Sequence, residues 1–229
     1  YSESETRLPT WLVVGEDVQS ATERVGLTCV EALGGDADLD VVTRWLDEGM
    51  APSGEVGRAF RDGSVHGFDL TFCAPKSVSL IRARGDDVAV KAVADAHAHA
   101  MREAMTYLAA HAGYTRVHNP RTGRKDLVRL PGIVAAAFQH ETSRAGDPHL
   151  HTHVIVPNRQ ARADGRLVSL DGTSLFHEAR AAGMIYQASL RSHLINSIAL
   201  EWGPIDPDTG MAEVAGVDRA TIKAFSQRS

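Results

Sequence analysis

Phe138-Gln139-His140-Glu141-Thr142-Ser143-Arg144-Ala145-Gly146-Asp147-Pro148-His149-Leu150-His151-Thr152-His153-Val154-Ile155-Val156 holds four histidines, and their spacing decides how the whole chain is read. From Leu150 to Val156 the residues are aliphatic or β-branched enough for a strand, whose side chains alternate between two faces. His149, His151, His153 and Ile155 then share one face, and Leu150, Thr152, Val154 and Val156 share the other. Residues two apart on a strand are separated by roughly 6.5–7 Å along the chain, so His151 and His153 can lean onto one cation. A second apolar run, Ile133-Val134-Ala135-Ala136-Ala137-Phe138, leads to His140. The polar link from Glu141 to Pro148 carries Gly146 and Pro148, so the two runs fold back as neighbouring strands and His140 joins the pair. Three neutral imidazoles without a thiolate suit a divalent ion that keeps positions open for a substrate oxygen, as a catalytic metal does. For an isolated His-x-His, a half-exposed polar face on an edge strand competes with this reading. The third histidine and the loop weigh against it.

Residues 67–73 alternate in the same way, with Phe68, Leu70 and Phe72 on one face and Asp69, Thr71 and Cys73 on the other. A strand with a single carboxylate on its less apolar side makes Asp69 a site candidate, although an Asp in a strand is more often a hydrogen-bonded structural residue. Pro75 suits a first helical residue, and Lys76-Ser77-Val78-Ser79 begins a helix whose amides and lysine can meet a phosphate. Lys76 can equally be a solvated first-turn lysine.

With 229 residues and 43% hydrophobic content the chain can bury a sizeable core, and residues 1–229 are expected to form one domain. Its two cysteines, Cys29 and Cys73, supply neither a disulfide framework nor a thiolate zinc site, which suits a reducing cytoplasm. No apolar run approaches the ~20 residues of a membrane helix. The first residue is Tyr1 rather than Met, as in a piece cut from a longer protein. A net charge of −5 weighs against nucleic acid as a partner. The charge is uneven, however. Arg116, Arg121, Arg124, Lys125 and Arg129 crowd one hairpin, and Arg144, Arg159, Arg162 and Arg166 follow or flank the histidines, so a local basic groove for single-stranded DNA is compatible with an acidic chain. A solvated hairpin tip is the plainer alternative.

Along the chain, residues 1–26 look irregular or briefly extended, with Trp11-Leu12-Val13-Val14 as their one strong apolar run. Residues 38–49 have helical spacing behind an Asp38 cap, and residues 50–64 are Gly-rich loop. Residues 86–112 form a long amphipathic helix on which His97 and His99 point about 200° apart, so these two and His111 are expected to be partly exposed residues rather than ligands. Residues 114–118 and 126–130 form a hairpin about Asn119-Pro120-Arg121-Thr122-Gly123, and residues 159–170 form another that turns at Ala163-Asp164-Gly165. A second long helix covers 174–201 and stops near Trp202-Gly203-Pro204, with His177 and His193 as packing or surface residues. A further turn at Asp208-Thr209-Gly210 and a last helix from Asp218 through Arg228 complete the chain. This order implies an α+β fold: a mostly antiparallel central sheet, with the histidine strands in the middle, covered by the two long helices as a two-layer sandwich.

The stretch from Phe138 to Ile155 closely resembles the histidine motif of conjugative relaxases of the TraI/TrwC (MobF) type, which are HUH endonucleases. Phe68-Asp69-Leu70-Thr71-Phe72-Cys73-Ala74-Pro75-Lys76-Ser77-Val78-Ser79-Leu80 resembles a second motif of the same family, in the right order. The resemblance covers nearly the whole chain, fading between Gly34 and Val65 and around Asn119. It implies a palm-like sheet closing over single-stranded DNA at an origin-of-transfer hairpin, and nicking there by a tyrosine that forms a 5′-phosphotyrosyl link and frees a 3′-hydroxyl. It further implies a metal on His140, His151 and His153. Mg²⁺ or Mn²⁺ is the working ion in the family, while three imidazoles by intrinsic affinity prefer Zn²⁺ or Ni²⁺. Asp69 matches the motif aspartate and either takes the tyrosine proton or orients a ligand histidine. Lys76 and Arg144 are matched to nearby phosphates, with Arg116, Arg124 and Lys125 as further DNA contacts. A fused helicase and relaxosome proteins are partners the family suggests. Relaxases of this type carry a cluster of tyrosines near the N-terminus. Here only Tyr1 stands in its place, matched by its distance to Trp11 to the last of the cluster, so the usual nucleophile and a leading strand are expected to be missing. An HUH replication initiator and a non-catalytic origin-binding module remain the alternatives.

Overall fold

In a computed structural model of the chain, residues 8–226 are described. The first elements are strand β1 (Thr10–Gly15), short helices α1 (Val18–Val25) and α2 (Cys29–Ala32), and helix α3 (Leu39–Glu48). The expectation of irregular chain through residue 26 is therefore corrected at α1. The Asp17 carboxylate accepts the Ser20 amide, Gly26 closes the helix at φ 82°, and Ala21, Thr22 and Val25 are buried. Three small contact residues among polar neighbours leave little apolar periodicity to detect. α3 starts and stops where expected, between the Asp38 cap and Gly49 at φ 69°.

Strand β2 (Gly67–Cys73) and helices α4 (Lys76–Arg84) and α5 (Asp87–Ala112) follow. Next come the hairpin β3 (Tyr114–His118) with β4 (Lys125–Arg129), then β5 (Gly132–Thr142) with β6 (Pro148–Pro157). A small ribbon of β7 (Gln160–Ala161) and β8 (Leu167–Val168) leads to α6 (Gly172–Ile198), and α7 (Arg219–Ala224) comes last. α6 ends earlier than the Trp202-Gly203-Pro204 stop, at Ala199 with φ 51°, because Leu200 and Trp202 turn back against the core. α7 is likewise shorter than expected and is capped at Phe225.

The main sheet is antiparallel, in the order β1-β5-β6-β2, so the histidine strands are central. One face, with Leu12, Val14, Ile133, Leu150 and Val154, packs under α5 and α6 through residues such as Ala100, Met105, Leu190 and Leu194. The other face carries a second core in which Trp11, Val13, Val134 and Ala136 meet Val25 of α1 and Trp45 of α3. The short helices thus add a third, partial layer. Coverage on both sides explains why residues 133–137 form an unbroken apolar run rather than an alternating one. α1 and α3 cover only part of that face, and the histidines lie beyond it.

His97 is not partly exposed: it is 1% exposed, with Nδ1 2.7 Å from the Tyr186 hydroxyl and Nε2 2.7 Å from Thr152 Oγ1. α5 is pressed between sheet and α6, and these two hydroxyls satisfy an imidazole that would otherwise be too polar to bury. His99, on the opposite side of the helix, is exposed as expected.

Candidate metal centre

β5 and β6 pair so that His140 faces His151 and Phe138 faces His153, with a register shift between His140 and Thr142. Partners in an antiparallel pair point the same way, so His140, His151 and His153 stand on one face. Their ring centroids are 5.2 Å (His140 to His151), 5.7 Å (His140 to His153) and 5.2 Å (His151 to His153) apart. A metal bonded to three imidazole nitrogens at ~2.1 Å, with angles near 90–110°, sets ring centroids about 4.5–5.2 Å apart. The trio fits such an ion after small side-chain adjustments.

The hydrogen bonds define which nitrogens face it. His151 Nδ1 donates to the His149 carbonyl at 2.8 Å, and His153 Nδ1 donates to the Asp69 carboxylate, 2.9 Å from each oxygen. Carbonyl and carboxylate only accept, so each ring carries its proton on Nδ1 and presents Nε2 as the donor atom. β2 brings Asp69 there because Thr71 pairs with His153, and the Thr71 hydroxyl reaches both Asp69 (3.3 Å) and His153 (3.2 Å). His149 shares the face, its ring 4.6 Å from that of His151. Burial holds its pKa below the ordinary value, helped by the nearby charges of His151 and Lys76.

The other sequence candidates are distributed unevenly. Lys76 is half-buried, and its ammonium donates to the Pro148 carbonyl at 2.7 Å and so anchors the start of β6. The Ser77 amide at the start of α4 is taken by the Glu213 carboxylate at 2.8 Å, so it does not offer itself to a phosphate. Arg144 is exposed in the five-residue link between β5 and β6, which is closed by the Ser143 amide on the Asp147 carbonyl at 2.8 Å. Arg116, Arg124 and Lys125 belong to the separate β3–β4 ribbon. Arg124 and Lys125 are exposed at its tip, whereas Arg116 is pinned by Asp171 at 2.8 Å and bonds Thr173. Tyr1 lies outside the described residues. Among the described residues, Tyr107 donates to Glu178, Tyr114 accepts from Arg129, and Tyr186 is buried against His97, so none stands at the histidine cluster.

One contact was not legible in the sequence. Arg82 of α4 grips Glu141 with two nitrogens at 2.8–3.1 Å and donates a third to the Val90 carbonyl at 3.0 Å. It braces the residue next to His140 from 59 positions away, with no local signal.

A family model described as TrwC relaxase matches residues 2–229, and the chain belongs to that family. It is 39% identical over 208 residues to the multifunctional conjugation protein TraI of Escherichia coli, an alignment covering 86% of this chain and 11% of that protein. The chain thus spans about 11% of the length of this relative. Among solved structures, the metal-free complex of the conjugative relaxase TrwC with oriT DNA is similar at a TM-score of 0.78 and 29% identity, over 98% of this chain and 73% of that one. The metal-bound complex of TrwC with oriT DNA gives a TM-score of 0.77 and 29% identity, over 96% and 70% of the two chains. No helix among the described residues is long and apolar enough to cross a membrane.

Proposed function

We propose that this chain nicks single-stranded DNA at a transfer origin in plasmid conjugation, by transesterification to a tyrosine. The observation that carries the reading is the convergence of His140, His151 and His153 on one sheet face, with Asp69 bonded behind His153. These imidazoles would hold a divalent ion, Mg²⁺ or Mn²⁺ in the working enzyme, with Zn²⁺ or Ni²⁺ also favoured by an all-nitrogen donor set. Such an ion supplies a Lewis acid for the non-bridging oxygens of the scissile phosphate.

The chain's own residues do the rest. Asp69 fixes the His153 tautomer and ring direction, which favours an orienting role over that of proton acceptor. Lys76 positions the histidine strand through Pro148, and Arg144 on the adjoining link holds a DNA phosphate. A tyrosine oxygen attacks phosphorus, the P–O3′ bond breaks, and the proton given up by the phenol is balanced by one taken up at O3′, so the products are a 5′-phosphotyrosyl link and a 3′-hydroxyl. Tyr1 is the residue in this sequence that stands for that nucleophile. Arg124 and Lys125 at the ribbon tip meet the phosphates of an origin hairpin. The cytoplasm, a helicase and relaxosome proteins complete the reading as setting and partners.

Calorimetric titration with Mn²⁺ is expected to show one site that disappears in His151→Ala, and an origin oligonucleotide with Mg²⁺ is expected to give little protein–DNA adduct on a denaturing gel, because Tyr1 matches only the last tyrosine of the family's cluster. Mn²⁺ binding that is unchanged in His151→Ala refutes the metal assignment. An adduct that forms and vanishes in Tyr1→Phe establishes Tyr1 as the nucleophile, and one that persists in that variant refutes it.

A further inference from the structure

The outer side of the helical layer carries a second group of metal-type donors. His99 and Glu103 stand four residues apart on α5 and share one stripe of the helix, with His99 Nε2 3.0 Å from a Glu103 carboxylate oxygen. α6 brings His193 against them, the His99 and His193 ring centroids lying 3.8 Å apart at 52°. One donor atom from each of the three lies within 4.8 Å of the other two. The direction in which this group faces is set by His97, which Tyr186 and Thr152 hold inside the core. His99, two residues on, must then face away from the sheet. The group is therefore separated from His140, His151 and His153, which stand on the opposite face of that sheet.

We propose that His99, Glu103 and His193 form a second divalent-metal site, which takes a zinc-type ion (Zn²⁺, Ni²⁺ or Cu²⁺) and clips α5 to α6. Two imidazoles and one carboxylate are a donor set such ions favour, while Mg²⁺ prefers oxygen alone. Tetrahedral zinc with bonds of ~2.1 Å places its donor atoms about 3.4 Å apart, and the His99 and His193 rings, now 3.8 Å apart, must open by side-chain rotation to the wider ring separation that two imidazoles on one ion require. The frame already exists, because Ala100, Ala104, Leu190 and Leu194 on the same helices are buried in one core. A His–Glu pair four residues apart is an ordinary exposed contact. The third donor, arriving from another helix, makes a chelate that only the folded chain offers.

The test uses the whole chain with Zn²⁺, read by calorimetry, and with Co²⁺ as an absorbing substitute. Two ions should bind to the wild type, one to His151→Ala, and none at micromolar Zn²⁺ to His151→Ala combined with His193→Ala. In the His151→Ala chain, Zn²⁺ at a hundredfold excess over its Kd should raise Tm by roughly 5 °C, and His193→Ala should abolish that rise. All three side chains lie at the surface or near it, and helix content by circular dichroism checks that the variants fold. A wild type that binds one ion, lost in His193→Ala but kept in His151→Ala, supports this site and refutes the first. Zn²⁺ binding to the His151→Ala chain that survives His99→Ala with His193→Ala, or no binding to that chain at all, overturns the proposal.

Discussion

Replacing His97 by Ala tests how the core supports the histidine face of the sheet. His97, Tyr186 and Thr152 are each no more than 1% exposed, and the imidazole joins the two hydroxyls by bonds of 2.7 Å. Truncation leaves two buried hydroxyls without this partner, at about 1–3 kcal/mol each, and removes the packing of a ring. Water entering the polar space offsets part of this, so a loss of about 3–5 kcal/mol is expected, a large share of the 5–15 kcal/mol typical of folded domains. Urea denaturation followed by circular dichroism measures it. Tyr186→Phe alone should cost about 1–3 kcal/mol, and the double variant should lose at least ~1 kcal/mol less than the sum, since both changes break one network. Thr152 lies between His151 and His153 on β6, so Mn²⁺ affinity should also fall several-fold in His97→Ala. A stability loss below ~1 kcal/mol, or strict additivity with Tyr186→Phe, would refute the network as a support.

Asp69→Asn removes the carboxylate that holds the His153 Nδ1 proton and should weaken Mn²⁺ binding by about 10–100-fold, with little change in the melting temperature. An unaltered Kd would dismiss the orienting role. Arg124→Ala with Lys125→Ala should lower the slope of log K against log salt for hairpin DNA by about 1.8, whereas Arg116→Ala, whose guanidinium Asp171 already engages, should hardly change it. Equal effects would remove the distinction. Burial works to raise the Asp171 pKa, but the Ser174 hydroxyl and amide and the Arg116 guanidinium outweigh it and hold the group below its ordinary value. Its stabilising contribution is full above the unfolded pKa near ~3.9 and is lost as pH falls through the lower folded value. Asp171→Asn should therefore trail the wild type in denaturation midpoint at pH 6, with the gap closing below about pH 4. A gap that stays constant with pH would contradict this.

The central hairpin was legible because alternation and a Gly/Pro link are local signals, and together they define which histidines share a face. His97 was not. α5 carries alanine at 94, 96, 98 and 100, so small residues lie on every side and its buried stripe cannot be drawn from hydrophobicity alone. The contacts of Lys76 and Ser77 are hidden from the sequence for a related reason: their partners, Pro148 and Glu213, are 72 and 136 residues distant. The His99–Glu103 pair has helical spacing, but nothing in the sequence joins it to His193, because helix packing alone makes that contact.

The locality of the first ligand set has a consequence for synthesis. His140, His151 and His153 lie on two strands separated by a link of five residues, so bringing them together closes only a short loop. The outer strands that flank them, β1 and β2, both precede them in the chain. A nascent chain that has emerged through β6 therefore has every strand of the sheet among the described residues, and all three imidazoles, before α6 has been made. The His99 and Glu103 donors must wait for His193, near the end of α6. On the proposals made above, a metal present during translation would meet the sheet cluster first and the helix cluster second.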